Sequence, residues 1–407
     1  MFVEPPAAIA IVGAGPIGLE AALYARYLGY NVELFEAGRV ADNVLRWGHV
    51  RMFTPFGMNC SPLAVAALIA QDDAFAPPAD DALLTGREWA EQYLLPLAHS
   101  DLVIDGLREK TRVAAIGKSD ARKRESVGSP QRVESPFRLL LVDEQGRESI
   151  ATADVVLDTT GVFGNPCWLG AGGIPAPGER QAASRIDYGL PDILGADRES
   201  YAGRHTLLVG AGYSAATSAV ALAQLAAAAP GTRATWITNA SVDDGAGPIR
   251  RIAGDRLPER DALAQAANAV ASAGGPITHL GQTSVDSISA AADDAPLLVR
   301  LCGAHAGEVE CDRIIANVGY RPDASLYAEL QVHQCYATDG PMKLAAALSQ
   351  ADSVDCLAQQ SAGAQALVNP EPNFYILGSK SYGRNSNFLY SLGLAQIREV
   401  FSLIGGR

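Results

Sequence analysis

The stretch Gly13-Ala14-Gly15-Pro16-Ile17-Gly18 limits what this chain can fold into more than any other feature. It follows a short apolar run, Ala8 to Val12, and opens a helix-patterned segment from about Ile17 to Leu28. A further strand-like run, Asn31 to Glu36, ends in an acid 18 residues after Gly18. In such a strand–turn–helix–strand unit the first glycine permits the tight turn. The second lets an anionic group approach the backbone, and the third lets helix and strand pack closely. Two strands joined through a helix run parallel, so the unit predicts a wound α/β sheet. The competing reading is a structural glycine turn in an unrelated α/β fold. Strand, glycines, helix and terminal acid in register favour a dinucleotide instead, with the Glu36 carboxylate accepting from both ribose hydroxyls.

The same logic recurs at Gly210-Ala211-Gly212-Tyr213-Ser214-Ala215, with alanine in the third place. The strand Thr206 to Val209 precedes it, and a helix, Ser214 to Ala228, and a strand, Ala234 to Thr238, follow. That last strand ends near Asn239 without an acid, and an acid there would repel a 2′-phosphate. NADPH is therefore permitted, with NADH not excluded, and Arg250 or Arg251 could supply the positive charge. An exposed Arg-Arg pair is the blander reading of those two residues. The two units form an approximate internal repeat of a generic motif, with no solenoid period.

The 407 residues, 48 % of them apolar, suffice for two cores of this kind. Net charge is −13 with no concentrated basic surface, which argues against a nucleic-acid partner. The one basic cluster, Lys118 to Arg132, reads as a solvated loop between strands. No run of 18 apolar residues suggests a membrane span, and Met1 to Ala7 lacks the pattern of a signal peptide. The six cysteines, at 60, 167, 302, 311, 335 and 356, include no Cys-x-x-Cys and no zinc spacing, so no metal site is expected. Scattered thiols suit a reducing cytoplasm. Oligomeric state is not legible.

Between these anchors, Ser61 to Gln71 and Arg87 to His99 have helical patterning. Thr111 to Gly117, Phe137 to Val142 and Asp154 to Asp158 read as strands. The tail offers a strand, Phe374 to Leu377, and a helix from about Asn387 to Leu403.

On the two glycine motifs, Glu36, Asp158-Thr159-Thr160-Gly161 and the tail, the chain resembles the two-dinucleotide-domain flavoproteins. These include flavin-containing and N-hydroxylating monooxygenases, thioredoxin-reductase-like enzymes and the pyridine nucleotide–disulfide reductases. The resemblance implies two Rossmann-like domains. It implies a discontinuous FAD domain over residues 1–165 and 320–407, and an NAD(P)H domain over 166–319. It also implies hydride passing from NAD(P)H to FAD and two electrons leaving for a small-molecule substrate.

The chain departs from the family in three places. Where reductases end the late strand in Gly-Asp, with the acid on the flavin ribityl chain, this chain has Leu377-Gly378-Ser379-Lys380. The monooxygenase Phe-x-Gly-x-x-x-His stretch has no counterpart in Tyr188 to Arg204. The paired cysteines of disulfide reductases are missing.

In the family the segment after the first nucleotide unit passes close to the flavin ring. Here it runs from Arg46 to Ser61 and carries His49, Arg51, Asn59 and Cys60. His49 and Cys60 are candidates for catalysis and Arg51 for cofactor contact, although a lone histidine is more often structural. Cys60 stands either as an inert packed thiol or as a nucleophile. In the second case its pKa is lowered by Arg51 or by a helix start at Ser61-Pro62. The resemblance also aims the N-terminus of the tail helix at the flavin pyrimidine edge. That makes Lys380, Tyr382 and Arg384 candidates for flavin or substrate contact, Tyr382 also for catalysis, and Gly378, Ser379 and Asn387, with Gly161 of the crossover, candidates for cofactor contact. A helix-capping loop is the alternative reading of the tail residues. The acceptor is expected to be a small oxidised molecule, a low-molecular-weight disulfide among them. The alternative is a monooxygenase acting on a soft nitrogen or sulfur atom, suggested by the long segment 44–100.

Overall fold

A computed structural model describes residues 3–239, 247–272, 274–292, 295–350 and 356–406. The chain divides into two compact units, Met1–Asn165 with Arg321–Arg407, and Pro166–Tyr320. Each is built on a five-stranded parallel sheet with a separate three-stranded antiparallel sheet.

In the discontinuous unit the parallel strands lie in the order Phe374–Ile376, Val155–Asp158, β1 (Ala8–Val12), β2 (Asn31–Phe35) and Leu107–Arg108. Successive side chains on a strand point to opposite faces, so a central strand covered on both sides reads as an unbroken apolar run. β1 does this. Ile9 and Ile11 pack among residues of the helices α1 (Pro16–Tyr27) and Tyr390–Gly405. Ala10 and Val12 pack against Val113, Phe137 and Leu139 of the antiparallel sheet. The second unit repeats the plan. Its strand order is Ile277–Leu280, Arg233–Ile237, His205–Val209, Arg313–Ala316, Ile186–Asp187. Leu208 faces the cluster of the helix Tyr213–Ala228, while Leu207 and Val209 face that of the strands Thr283–Ala290 and Leu297–Gly303.

Several expectations change. The segment 87–99 is not one α-helix, because its middle, Ala90–Leu94, winds as a π-helix. Pro96 is the cause: it offers no N–H, and its ring crowds the carbonyl four residues back. The tail helix starts at Tyr390, three residues later than its composition suggests. Asn387 does not cap it, because Leu389 occupies the cap position, without a side-chain bond. The stretch from Lys118 to Arg132 is not a uniformly solvated loop. Lys118 is buried with its Nζ 3.5 Å above the Phe137 ring. Arg132 is 1 % exposed and forks onto Glu371, the nearest contact being 2.6 Å. An alternating charge pattern cannot reveal a tertiary partner 239 residues away. Among the described residues no helix is long and apolar enough to cross a membrane.

Candidate functional site

Three loops leave the carboxyl edges of adjacent strands in the first unit: Gly13–Gly18 after β1, Thr159–Gly161 after Val155–Asp158, and Gly378–Tyr382 after Phe374–Ile376. Open α/β sheets bind ligands outside this edge.

The six-residue glycine turn behaves as its chemistry demands. Gly13 has φ +101°, and a Cβ there would stand 3.0 Å from Thr159 O. At Gly18 a Cβ would fall 1.8 Å from Gly13 O, so this glycine serves the contact of helix with strand. Thr159 Oγ1 closes the turn by donating to Val12 O at 2.8 Å and Gly13 O at 2.9 Å. Gly15 is different. Its backbone is ordinary extended chain (φ −77°), and a Cβ built on it meets nothing within 4 Å. Nothing in the protein requires glycine there, and no side chain caps the helix that it starts. A partner from outside the chain, approaching the backbone and the positive helix end, supplies the missing reason.

The second unit repeats the pattern. Gly210 has φ +139° with Asn317 O 2.2 Å from its Cβ position, and Ala215 is fully buried. Gly212 is extended (φ −95°), starts an uncapped helix, and has open space where a side chain would be.

Glu36 stands half-buried at the end of β2. Its Oε2 accepts from Ala14 N and its Oε1 from Gly38 N, each at 2.8 Å. These bonds hold the carboxylate in place, and each oxygen keeps a second lone pair for a further donor. Beside it lies an open cleft of about 710 Å³, lined by Ala37, Gly38, Arg39, Lys110 and Arg112 among others.

The altered end of the late strand is tied to the Asp158-Thr159-Thr160-Gly161 stretch. Asp158 and Lys380, both fully buried, form an ion pair, Lys380 Nζ to Asp158 Oδ2, of 2.7 Å. Lys380 Nζ also donates to Thr160 Oγ1 at 2.9 Å, and Thr160 Oγ1 donates to Asp158 Oδ1 at 2.7 Å. The pair ties the second loop to the third and directs Lys380 inward, leaving Ser379 half-buried opposite Gly161. Gly378 has φ +72° and gives its N–H to Gln396 Oε1 at 2.8 Å. Tyr382 is 4 % exposed, with its ring edge-on to Phe388 in the main core.

In the segment after the first nucleotide unit, His49 and Arg51 are exposed, and Arg51 Nη1 donates to Leu83 O. Asn59 is buried and binds the carbonyls of Thr54 and Pro55, each at 2.9 Å. Ser61 does cap the helix Pro62–Gln71, accepting from Ala64 N at 3.0 Å. The expected lowering of the Cys60 pKa is corrected. Burial, reinforced by the Glu20 and Asp80 carboxylates, pushes this thiol up to about 11. Arg51, expected to oppose this, is exposed and donates to Leu83 O. At neutral pH such a group is a thiol, not the thiolate that attacks disulfides.

Sequence reasoning missed Glu20. This acid lies on α1 among buried apolar neighbours and is itself 3 % exposed. The available signal was an acid within the run Leu19 to Leu23, a face that the first motif requires to be buried.

In the second unit the arginine pair divides. Arg251 is held by Asp261 through two contacts of 2.8 and 2.9 Å. Arg250 is exposed and makes no hydrogen bond or ion pair among the described residues. If a 2′-phosphate is bound in this unit, Arg250 rather than Arg251 would meet it. Arg250→Ala is expected to weaken NADPH by roughly tenfold, about 1.4 kcal/mol, and to leave NADH unchanged. Stopped-flow flavin reduction over a range of each cofactor checks this. Equal losses for both cofactors would remove Arg250 from the role.

No protein-family model matches the chain, and no curated protein matches it. Solved structures do match along its whole length. Bacillithiol disulfide reductase Bdr (YpdA) from Bacillus cereus superposes with a TM-score of 0.68 at 18 % identity, covering 98 % of this chain and 99 % of that one. DfoA, the cadaverine monooxygenase of desferrioxamine biosynthesis from Erwinia amylovora, superposes with a TM-score of 0.66 at 14 % identity, over 98 % and 94 %. The ornithine N-hydroxylase KtzI from Kutzneria sp. 744 gives 0.61 at 16 %, over 98 % and 99 %. The chain therefore has the fold of the two-dinucleotide-domain flavoproteins.

Proposed function

We propose that this protein is an NAD(P)H-dependent flavoprotein oxidoreductase that delivers two electrons to a small oxidised molecule, with a low-molecular-weight disulfide as its substrate class. The observation that carries the reading is the pair of glycines, Gly15 and Gly212. Each is unstrained and faces open space at an uncapped helix end. Two such cradles in one chain call for two dinucleotides, and their residues suit FAD in the first unit and a nicotinamide cofactor in the second. The solved structures with this fold include one described as bound to FAD and one described with reduced FAD and NADP+.

In the first unit, the free N–H groups at the start of α1, Pro16 having none, would hold the pyrophosphate and Glu36 would accept from the ribose. Gly161, Gly378 and Ser379 would let the flavin side approach the backbone, with Asn387 and the helix end at Leu389 beyond them. In the second unit, Gly210, Gly212 and Ala215 would form the corresponding cradle. Bound there, the cofactors would supply hydride transfer from NAD(P)H to FAD and two-electron reduction of the acceptor, overall NAD(P)H + H⁺ + RSSR → NAD(P)⁺ + 2 RSH.

The raised Cys60 pKa argues against a protein thiol relay. Cys60→Ser is expected to retain turnover within about twofold, below ~0.5 kcal/mol. Steady-state rates with a disulfide acceptor test this, and a drop of more than tenfold would return Cys60 to the mechanism.

A second reading, a monooxygenase acting on a soft nitrogen or sulfur atom, draws on the long segment 44–100 and on the likeness in fold to the cadaverine monooxygenase and the ornithine N-hydroxylase. The deciding experiment is NADPH consumption with and without oxygen. Sustained anaerobic oxidation with a small disulfide, yielding two thiols per NADPH, supports the reductase. Consumption that requires oxygen and yields an oxygenated amine or sulfide supports the alternative.

A further inference from the structure

Glu20 is a buried acid with no cationic partner among the described residues. Its Oε1 accepts from the hydroxyls of Tyr93 and Tyr390, the latter at 2.9 Å, and its Oε2 accepts from Ser61 Oγ at 2.7 Å. Tyr93 Oη in turn accepts from Ser61 N at 2.9 Å. The Cys60 thiol is the further titratable group close enough to feel the charge. Four separate pieces of chain thus converge on one carboxyl: α1, the cap of the helix Pro62–Gln71, the π-turn Ala90–Leu94, and the first residue of the helix Tyr390–Gly405. The contact of the two helices is doubled one turn away. A Cβ on Gly393 would stand 2.3 Å from Ile17 Cδ1, so Gly393 admits Ile17 as Tyr390 admits Glu20. Trp89 closes the cluster, edge-on to Tyr390 with ring centroids 5.3 Å apart.

We propose that Glu20 is a positioning residue which holds two uncapped helix ends, those behind Gly15 and Leu389, in fixed relation around the flavin and sets the charge behind them. The inference rests on the flavin reading above. An ion pair would keep the carboxyl charged down to low pH. Here the hydroxyl donors also favour the charged form, but with no counter-ion among the described residues burial outweighs them and raises the Glu20 pKa. The proton is therefore kept at low pH and lost as pH rises, placing a negative charge behind a site that receives electrons. The sign for stability follows. Stability from the protonated group is fully present below the unfolded value of 4.5 and is lost as pH rises through the folded value.

The test uses FAD-loaded protein with Glu20→Gln and Tyr390→Phe, and cofactor-free protein for unfolding. Glutamine keeps an acceptor for the tyrosines and cannot ionise. Glu20→Gln is expected to bind FAD with a midpoint potential more positive than wild type, the gap widening as pH is raised. Its urea midpoint is expected to lose the wild-type decline with pH. Tyr390→Phe, which keeps the carboxyl but frees the helix, is expected to shift the potential at every pH. Superimposable potential curves for wild type and Glu20→Gln, both FAD-bound, would overturn the inference and leave the flavin reading standing. A wild type that takes up no FAD would overturn the flavin reading and this role with it, and the unfolding curves would then report only a structural acid.

Discussion

Gly15→Leu is expected to give a folded, colourless protein. The backbone at Gly15 is extended, and the side chain would enter empty space, so the fold has no reason to object. The same volume lies in front of the uncapped start of α1, where a pyrophosphate would have to sit. FAD affinity should fall by about a thousandfold or more, ~4 kcal/mol, while the far-UV spectrum and unfolding transition stay those of the cofactor-free wild type. Gly18→Ala is the contrasting control. Its methyl would overlap Gly13 O, so that variant should lose stability before it loses affinity. Gly212→Leu carries the same argument into the second unit. It should remain yellow, with flavin reduction by NAD(P)H slowed by about a hundredfold, ~2.7 kcal/mol. Titration with FAD, absorbance at the flavin band and stopped-flow reduction distinguish the three. A Gly15→Leu protein that binds FAD as the wild type does would refute the placement of the first cofactor.

Lys380→Met is expected to destabilise the first unit by about 3–5 kcal/mol, because it strands the Asp158 carboxylate without a counter-ion where water cannot reach. Asp158→Asn should cost a similar amount by stranding the ammonium. The double variant, Asp158→Asn with Lys380→Met, should recover much of the loss, since two neutral groups need no mutual charge. Thr160 would still lack its Lys380 donor in the double variant, so recovery should be incomplete. Urea unfolding of the four proteins gives the coupling energy directly. Additive losses would show that the pair does not act as a unit. The flavin spectrum of the double variant then reports whether the alignment of Gly161 with Ser379 depends on this tie.

Much of the architecture was legible because it depends on local rules. The glycine turns required a strand before and a helix after. The full apolar runs of β1 and Thr206 to Val209 required cover on both faces, and both requirements are met. Elements that depend on neighbours were less legible. The two-residue edge strands Leu107–Arg108 and Ile186–Asp187 have no pattern of their own and exist through the strands beside them. The tail helix starts only at Tyr390, after a turn in which Asn385 Oδ1 accepts from Asn387 N.

The candidate site divides along the same line. The bare backbone positions Gly13, Gly15, Gly18, Gly210 and Gly212 could be read along the chain, because a glycine turn is a property of a few consecutive residues. So could Glu36, at a strand end whose distance from the turn is set by one helix. The electrostatics arise from contacts between residues far apart in the chain. Asp158 meets Lys380 across 222 residues, Arg251 turns to Asp261 and leaves Arg250 exposed, and Glu20 gathers hydroxyls from three distant segments while raising the Cys60 thiol. Charge acts through space and through the loss of water, and neither is encoded by the order of residues along the chain.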